Sequence, residues 1–114
     1  MPIGELCNRE VVTIHQDAPL NDAAALMRRH HVGARVVVES DGSQEPVGLI
    51  TDRDLVVGVL GRGIDPGSLD VGDIMYRELL TVREHDGIFE TIQAMRDKGV
   101  RRAPVVGDDG NLVG

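Results

Sequence analysis

The feature that most constrains this chain is an internal repeat with an offset of 68 residues. Residues Ile3–Gly42 align with Val71–Gly110 without a gap, and 11 of the 40 aligned pairs are identical. The identical pairs include Thr13 with Thr81. A single register held over this length indicates a duplication, so the chain is expected to fold as two related units.

Each copy has the same order of predicted elements. A short β-prone run at 11–14 or 79–82 precedes an amphipathic helix at 20–31 or 88–99, and a second apolar strand at 36–38 or 103–106 follows. Asp41–Gly42 and Asp109–Gly110 are typical turn dipeptides. In the first copy, a further strand PVGLIT and a helix DRDLVVGVL complete the unit. The sequence therefore predicts an α/β (α+β) fold of two pseudo-symmetric β-α-β-β-α repeats packed together.

The repeat also sets the expected boundaries. Residues 1–60 form the first repeat, the glycine-rich segment 61–70 is a linker, and residues 71–114 form the second repeat. The chain ends where the last strand of the second repeat begins. By the symmetry of the duplication, that repeat is expected to be incomplete, without about a dozen residues of its last strand and helix.

Composition excludes several classes of function. The net charge is −7 and aromatic residues make up 2% of the chain, which argues against binding a nucleic acid polymer. No apolar stretch is long enough to span a membrane, and the single cysteine, Cys7, fits a reducing cytoplasm. The four histidines have no spacing typical of a metal site, and no catalytic motif occurs. We therefore expect a cytoplasmic protein that is not an enzyme and needs no metal or other cofactor.

One motif carries a resemblance to a known family. Residues Gly48–Leu55 read G-x-x-T-x-x-D-L after a turn, within the duplicated unit. Together with Val100–Gly114, and with the segments Ile3–Cys7 and Val71–Met75 that open the two copies, this motif resembles the cystathionine-β-synthase-type (CBS) domain. The tandem pair of such domains is called a Bateman module, and the resemblance covers nearly the whole chain.

The resemblance implies ligand sensing in clefts between the repeats. Members of the family often bind an adenosyl compound, namely AMP, ADP, ATP or S-adenosylmethionine, and the phosphates can carry Mg²⁺. By this resemblance Asp54 receives the ribose hydroxyls and Thr51 contacts a phosphate, as suits a charged acceptor and a helix N-terminus. The first cleft is then expected to use Thr51, Arg53, Asp54, Ala34, Arg35, Val36, Gly72, Asp73, Ile74 and Met75. A weaker second cleft is expected to use Ile3, Leu6, Cys7, Arg102, Ala103 and Pro104.

Other interpretations of the same residues remain open. Thr51 can simply cap the helix that follows, with Asp54 in its first turn. The module can also serve as a ligand-free oligomerisation or partner-docking unit that engages an unknown effector protein. The resemblance further implies a homodimer formed through the repeat helices, for which the helical stripes at 20–31 and 88–99 are the expected face.

Overall fold

The first repeat has the element order that the sequence predicts. The computed structural model describes residues 1–39 and 44–114, so the predicted turn at Asp41–Gly42 lies outside the described residues. Within this range the first repeat runs through the following elements: β1 (Thr13–His15), α1 (Leu20–His30), β2 (Ala34–Val38), β3 (Pro46–Thr51) and α2 (Asp52–Gly58). The β-α-β-β-α order is confirmed.

The three strands of the first repeat form one sheet with β2 in the centre. β1 pairs with β2 in parallel and β3 pairs with β2 in antiparallel, with an irregularity between Val37 and Val38. The parallel pair follows from the helical crossover between its strands. Val37 and Val38 are fully buried, as expected of a continuous β-branched run in a central strand.

The second repeat reproduces the first half of this unit. It contains α3 (Val71–Ile74), β4 (Val82–Arg83), α4 (Ile88–Lys98) and β5 (Val105–Val106), and β4 pairs with β5 in parallel. A third strand only begins: Val105 donates to Gly114 at 2.8 Å and Val113 donates to Val105 at 2.8 Å. β4 and β5 are short because their sheet has just this fragment of a third strand beside them.

The two long helices end in the same way. The residue after α1, His31, has φ 53°, and its repeat equivalent after α4, Gly99, has φ 74°. Glycine adopts this left-handed conformation without strain, whereas a residue with a Cβ atom does not. The first copy therefore carries local backbone strain that the second copy avoids.

The opening segments are exchanged between the repeats. Gly4 donates its N–H to Glu84 at 2.9 Å, and its equivalent Gly72 donates to Gln16 at 2.7 Å. Next to each contact an arginine closes the opening turn onto the glycine carbonyl, from Arg9 to Gly4 and from Arg77 to Gly72, both at 2.8 Å. Each repeat thus holds the segment that precedes the other.

This exchange changes how the predicted boundaries should be understood. Val71 and Met75, from the start of the second repeat, belong to the buried core of the first repeat, together with Ile14, Leu20 and Ile50. The linker is also tied down, since Leu20 donates to Leu69 at 3.0 Å. Sequence repeats of 1–60 and 71–114 therefore do not correspond to two separate cores.

The two long helices bury part of the predicted stripes and leave part of them exposed. Leu20, Ala23 and Met27 of α1 lie in the core, and Thr91 of α4 is 4% exposed. Ile92, in the predicted stripe of α4, is 49% exposed, so the face of the homodimer stays a prediction. On α4 the large exposed apolar residues are Phe89 and Ile92, which lie on its outer side.

Candidate ligand-binding cavities

Thr51 and Asp54 form a capping box at the start of α2. Asp54 donates its N–H to Thr51 Oγ1 at 3.2 Å, and Thr51 donates its N–H to Asp54 Oδ2 at 2.9 Å. These bonds satisfy two of the amide groups that a helix N-terminus leaves free. The capping interpretation is therefore confirmed, and a ribose at Asp54 would have to share a carboxylate that already accepts one hydrogen bond.

A small cavity of about 180 Å³ lies beside this box. Leu49 and Thr51 line it from the first repeat, and the segments before β4 and before β5 line it from the second repeat. Its polar lining residues are Thr51, Tyr76, Glu78, Arg101 and Arg102. It thus contains one carboxylate, two guanidinium groups and the only tyrosine of the chain.

A larger cavity of about 480 Å³ shares Leu49, Arg101 and Arg102 with the small one. Its lining is mostly apolar, and its charged residues are Glu10, Arg35, Arg101 and Arg102. Cavities that hold small molecules usually measure roughly 300–1,000 Å³. The large cavity falls within that range in its present shape, whereas the small one would need to open before a nucleoside could enter.

The two cavities are related by the repeat. Tyr76, Glu78, Leu79 and Leu80 of the small cavity correspond, 68 residues earlier, to Asn8, Glu10, Val11 and Val12 of the large one. Val100 and Arg102 correspond in the same way to Val32 and Ala34. Arg101 and Arg102 line both cavities. They are a pair of pseudo-equivalent clefts that share two arginines.

The structure groups the predicted residues of the first cleft differently. Thr51 lines the small cavity, whereas Ala34, Arg35 and Val36 line the large one. Arg53 and Asp54 do not line either cavity, nor does the segment Gly72–Met75. These residues therefore do not line one cavity together, because Val71 and Met75 fill the core of the first repeat and hold their segment there. Their role in binding a ligand stays a prediction.

The predicted second cleft corresponds better to the large cavity. Its predicted residues that line the cavity are Ile3, Cys7, Arg102, Ala103 and Pro104, whereas Leu6 is 53% exposed and lies outside the lining. Sequence reasoning did not assign Glu10, Val11 or Val12, which also line this cavity. All three lie just before β1, so their signal was their position immediately upstream of a strand.

Arg35 is the most unusual lining residue. Its side chain is 1% exposed, and Nη2 donates to the carbonyl of Leu26 at 2.8 Å. Its Nε and Nη1 atoms are buried without a hydrogen-bond partner among residues 1–39 and 44–114. Burial disfavours the charged form and lowers the pKa of this guanidinium from its ordinary value.

Metal ligands are not gathered anywhere in the described part of the chain. No group of three or more His, Cys, Asp or Glu side chains there is arranged to hold a metal ion. Among the same residues, no helix is both long enough and apolar enough to cross a bilayer.

The duplicated fold with paired clefts between its repeats defines a class of regulatory module. The model of the CBS domain matches residues 3–61 and 71–114, and the chain therefore belongs to the CBS-domain family as a tandem pair. Tandem CBS modules are a regulatory, ligand-binding type of module. The family assignment from the sequence is confirmed.

Individual relatives support this assignment. An uncharacterised protein of Methanopyrus kandleri is 38% identical over 112 residues, which are 98% of this chain and 56% of that protein. Hypoxic response protein 1 of Mycobacterium tuberculosis is 31% identical over 110 residues, which are 96% of this chain and 75% of that protein. The chain spans only about half of the Methanopyrus protein.

Solved structures show the same fold. The crystal structure of Hypoxic Response Protein I with two coordinated zinc ions has a TM-score of 0.86 and 30% identity, covering 100% of this chain and 90% of that one. A CBS domain protein from Pyrobaculum aerophilum complexed with AMP has a TM-score of 0.86 and 24% identity, covering 100% and 85%. At that identity the second likeness concerns the fold alone.

Proposed function

We propose that this chain is a regulatory module that binds an adenosyl compound between its two CBS repeats and reports it by a change in how the repeats pack. The candidate ligands are AMP, ADP, ATP and S-adenosylmethionine, with or without Mg²⁺. The observation that carries the proposal is the pair of pseudo-equivalent cavities, one of nucleoside size and one beside Thr51, which share Arg101 and Arg102.

The chemistry of the clefts is consistent with such a ligand. The large cavity offers apolar walls for a base and arginines for a phosphate. In the small cavity Thr51 lies at a helix N-terminus, and Tyr76 offers a ring on which a base can stack. The CBS domain protein from Pyrobaculum aerophilum is complexed with AMP in its solved structure, so this fold can accommodate an adenine nucleotide.

The exchanged opening segments suggest how binding is transmitted. Ile3 and Cys7 line the large cavity, and the same segment is fixed to the second repeat through Gly4 and Glu84. A ligand that contacts this segment therefore acts on both repeats at once. It shifts the equilibrium between two packings in proportion to its difference in affinity for them.

Calorimetric titration of the whole chain with AMP, ATP and S-adenosylmethionine, each with and without Mg²⁺, tests the proposal. The chain contains one tyrosine and no tryptophan, so tyrosine fluorescence reports on the small cavity through Tyr76. Binding seen by both methods assigns a ligand to the small cavity, and binding seen by calorimetry alone assigns it to the large one. No binding of any of these ligands at millimolar concentration would refute the proposal.

Asp54→Asn tests the predicted ribose contact. Asp54 does not line the small cavity in its present shape, so the contact requires that cavity to open towards the start of α2. Asparagine keeps an oxygen that can accept the Thr51 N–H but removes the charge, so the affinity of the opened cavity should fall about tenfold while the helix remains capped. Asp22→Asn is the matched control, because Asp22 is an exposed acid in the first turn of α1. Equal affinities of the two variants would exclude Asp54 as a ligand contact.

A second candidate function is supported by the outer side of α4. Phe89 is 82% exposed and Ile92 is 49% exposed, and both are large apolar side chains on one helix. This surface suits docking to a second copy of the chain, so the predicted homodimer would use Ile92, the exposed part of the α4 stripe, together with Phe89 beside it. A docking module without a ligand would need only this surface.

Light scattering during size-exclusion chromatography distinguishes the two functions. Phe89→Glu should convert a dimer to a monomer, whereas Ser68→Glu, which adds the same charge at an exposed position outside the two long helices, should leave the dimer intact. A dimer that binds no adenosyl compound would favour the docking function. A wild-type monomer at micromolar concentration would contradict the homodimer.

We further propose that the module acts without catalysis of its own and in the cytoplasm. The sequence contains no catalytic motif that would supply a nucleophile and its base, and its single cysteine suits a reducing compartment. Release of adenine, phosphate or another fragment from AMP or ATP incubated with the pure chain would contradict a purely regulatory role.

A further inference from the structure

The opening segments of the two copies are held by equivalent backbone hydrogen bonds. We call residues 1–7 the strap and residues 69–75 its counterpart. Three bonds fix the strap to the second repeat, from Ile3 N–H to Asp86 at 2.7 Å, from Gly4 N–H to Glu84 at 2.9 Å and from Ile88 N–H to Met1 at 3.1 Å. The equivalent bonds of the counterpart run from Val71 to Ala18 at 2.9 Å, from Gly72 to Gln16 at 2.7 Å and from Leu20 to Leu69 at 3.0 Å. These backbone bonds therefore hold both segments equally well.

The side chains of the two segments are buried to different extents. In the counterpart, Val71 is 0% exposed and Met75 is 6% exposed, and both belong to the core of the first repeat. Their equivalents in the strap, Ile3 and Cys7, are only partly buried, and Leu6 is 53% exposed. Apolar burial stabilises a segment roughly in proportion to the area that it removes from water. The strap is therefore the more weakly held of the two.

The strap is also part of the wall of the large cavity. Ile3 and Cys7 line this cavity together with Thr91 and Met95 of α4. Side chains of the strap thus face open space, whereas those of the counterpart face packed protein. Detaching the strap from the turn before α4 would break the three backbone bonds and widen the cavity, and both long helices would stay folded.

We propose that the strap is the gate of the large cavity: it opens by local unfolding, admits a ligand and closes over it, while its counterpart stays in place. Segments with few buried apolar contacts are the ones that open in this way. The inference deepens the proposed function by naming the part that moves, and its ligand step rests on that function. A ligand that binds only the closed form shifts the equilibrium towards closure.

Hydrogen exchange of single backbone amides, followed by NMR, measures the opening in the wild-type chain. The amides of Ile3 and Gly4 should be protected about 10- to 100-fold less than those of Val71 and Gly72, because less apolar area holds the strap. Each pair makes the same bond, so the second copy is an internal control. Millimolar AMP should raise the protection of the strap amides and leave that of the counterpart unchanged. Equal protection of both segments in the free chain would overturn the proposal.

The only cysteine of the chain, Cys7, lines the large cavity, so its alkylation by iodoacetamide measures access to that cavity. Pro2 and Gly87 are paired in an antiparallel bridge, and the double substitution Pro2→Cys with Gly87→Cys should lock the strap by a disulfide. Pro19→Cys with Asp70→Cys locks the equivalent bridge of the counterpart and is the matched control. Circular dichroism confirms that both locked chains are folded.

Alkylation of Cys7 should be about 10- to 100-fold slower in the strap-locked chain than in wild type, and unchanged in the control. An equal rate in the strap-locked chain would mean that the cavity is accessible without movement of the strap, which would overturn the gate. The exchange measurement needs no substitution, so it decides the opening even if a locked chain does not fold.

Ligand experiments separate failure of the gate from failure of the proposed function. If calorimetry detects AMP at the large cavity, its association rate should fall at least about tenfold in the strap-locked chain and not in the control. AMP that binds without raising the protection of the strap amides would contradict closure over the ligand. If no adenosyl compound binds, the proposed function fails, whereas amide exchange and Cys7 alkylation in the free chain still decide whether the strap opens the cavity.

Discussion

Replacing Gly72 by alanine is the most direct test of the exchanged opening segments. A Cβ atom at this position would lie 3.0 Å from the carbonyl oxygen of Gln16, the same oxygen that accepts the Gly72 N–H at 2.7 Å. Neither atom belongs to a flexible side chain, so the strand end and α3 must move apart. Overpacking of this kind lowers the free energy of unfolding by about 1–3 kcal/mol. Alanine has less conformational entropy than glycine in the unfolded chain, which offsets about 0.4–1 kcal/mol of this loss.

The repeat supplies a second variant and an internal control. At Gly4 the added Cβ would lie 2.8 Å from both the Cβ and the carbonyl oxygen of Glu84, so Gly4→Ala should be more destabilising than Gly72→Ala. Gly58, at the end of α2, has nothing within 4 Å of an added Cβ. Gly58→Ala should therefore stabilise the chain by about 0.5–1 kcal/mol, since alanine is the better helix former.

Urea unfolding followed by circular dichroism at 222 nm measures these differences. The expected order of stability is Gly58→Ala, wild type, Gly72→Ala and Gly4→Ala, with one cooperative transition in each case because the cores are shared. If Gly72→Ala is as stable as Gly58→Ala, the close approach to Gln16 does not exist. Two separate transitions in wild type would show that the repeats unfold independently, which would refute the exchange.

Three further changes test local features by the same unfolding assay. His31→Gly should stabilise by about 1 kcal/mol, because glycine accepts the left-handed conformation after α1; destabilisation would mean that the His31 side chain has a role in packing. Thr51→Ala should cost about 0.5–2 kcal/mol and Thr51→Ser much less, because only the hydroxyl caps α2; equal losses would contradict the capping box. Met75→Ala should cost about 2–5 kcal/mol, since Met75 is 6% exposed in the core of the first repeat; a loss below 1 kcal/mol would place it outside that core.

Periodicity and the internal repeat predicted most of the architecture. The helix predicted at 20–31 extends over Leu20–His30, and the strand predicted by PVGLIT extends over Pro46–Thr51. These elements depend on local spacing of apolar residues, which the sequence displays directly. The strands of the second repeat came out shorter than predicted, since a strand needs a neighbour and the third strand only begins near Gly114.

It was harder to predict which residues line each cavity, because this depends on which opening segment packs against which repeat. The T-x-x-D motif located Thr51 and Asp54, but nothing local indicates that the segment Gly72–Met75 is held in the core of the first repeat. The burial of Arg35 was not predicted either. The covered strand was predicted at 36–38, and an arginine immediately before it is normally exposed, whereas β2 begins at Ala34 and buries Arg35 to 1% exposure.

Because the opening segments are exchanged, the two repeats can complete their buried cores at different stages of synthesis. As the chain is synthesised from its N-terminus, the strands and helices of the first repeat emerge before Val71 and Met75, which complete its core. The nascent first repeat therefore exposes the apolar sites that these two residues will fill. The second repeat emerges with its partner segment, Ile3–Glu5, already made. The first repeat can therefore complete its core only after the start of the second repeat has been synthesised, whereas the second repeat has no such delay.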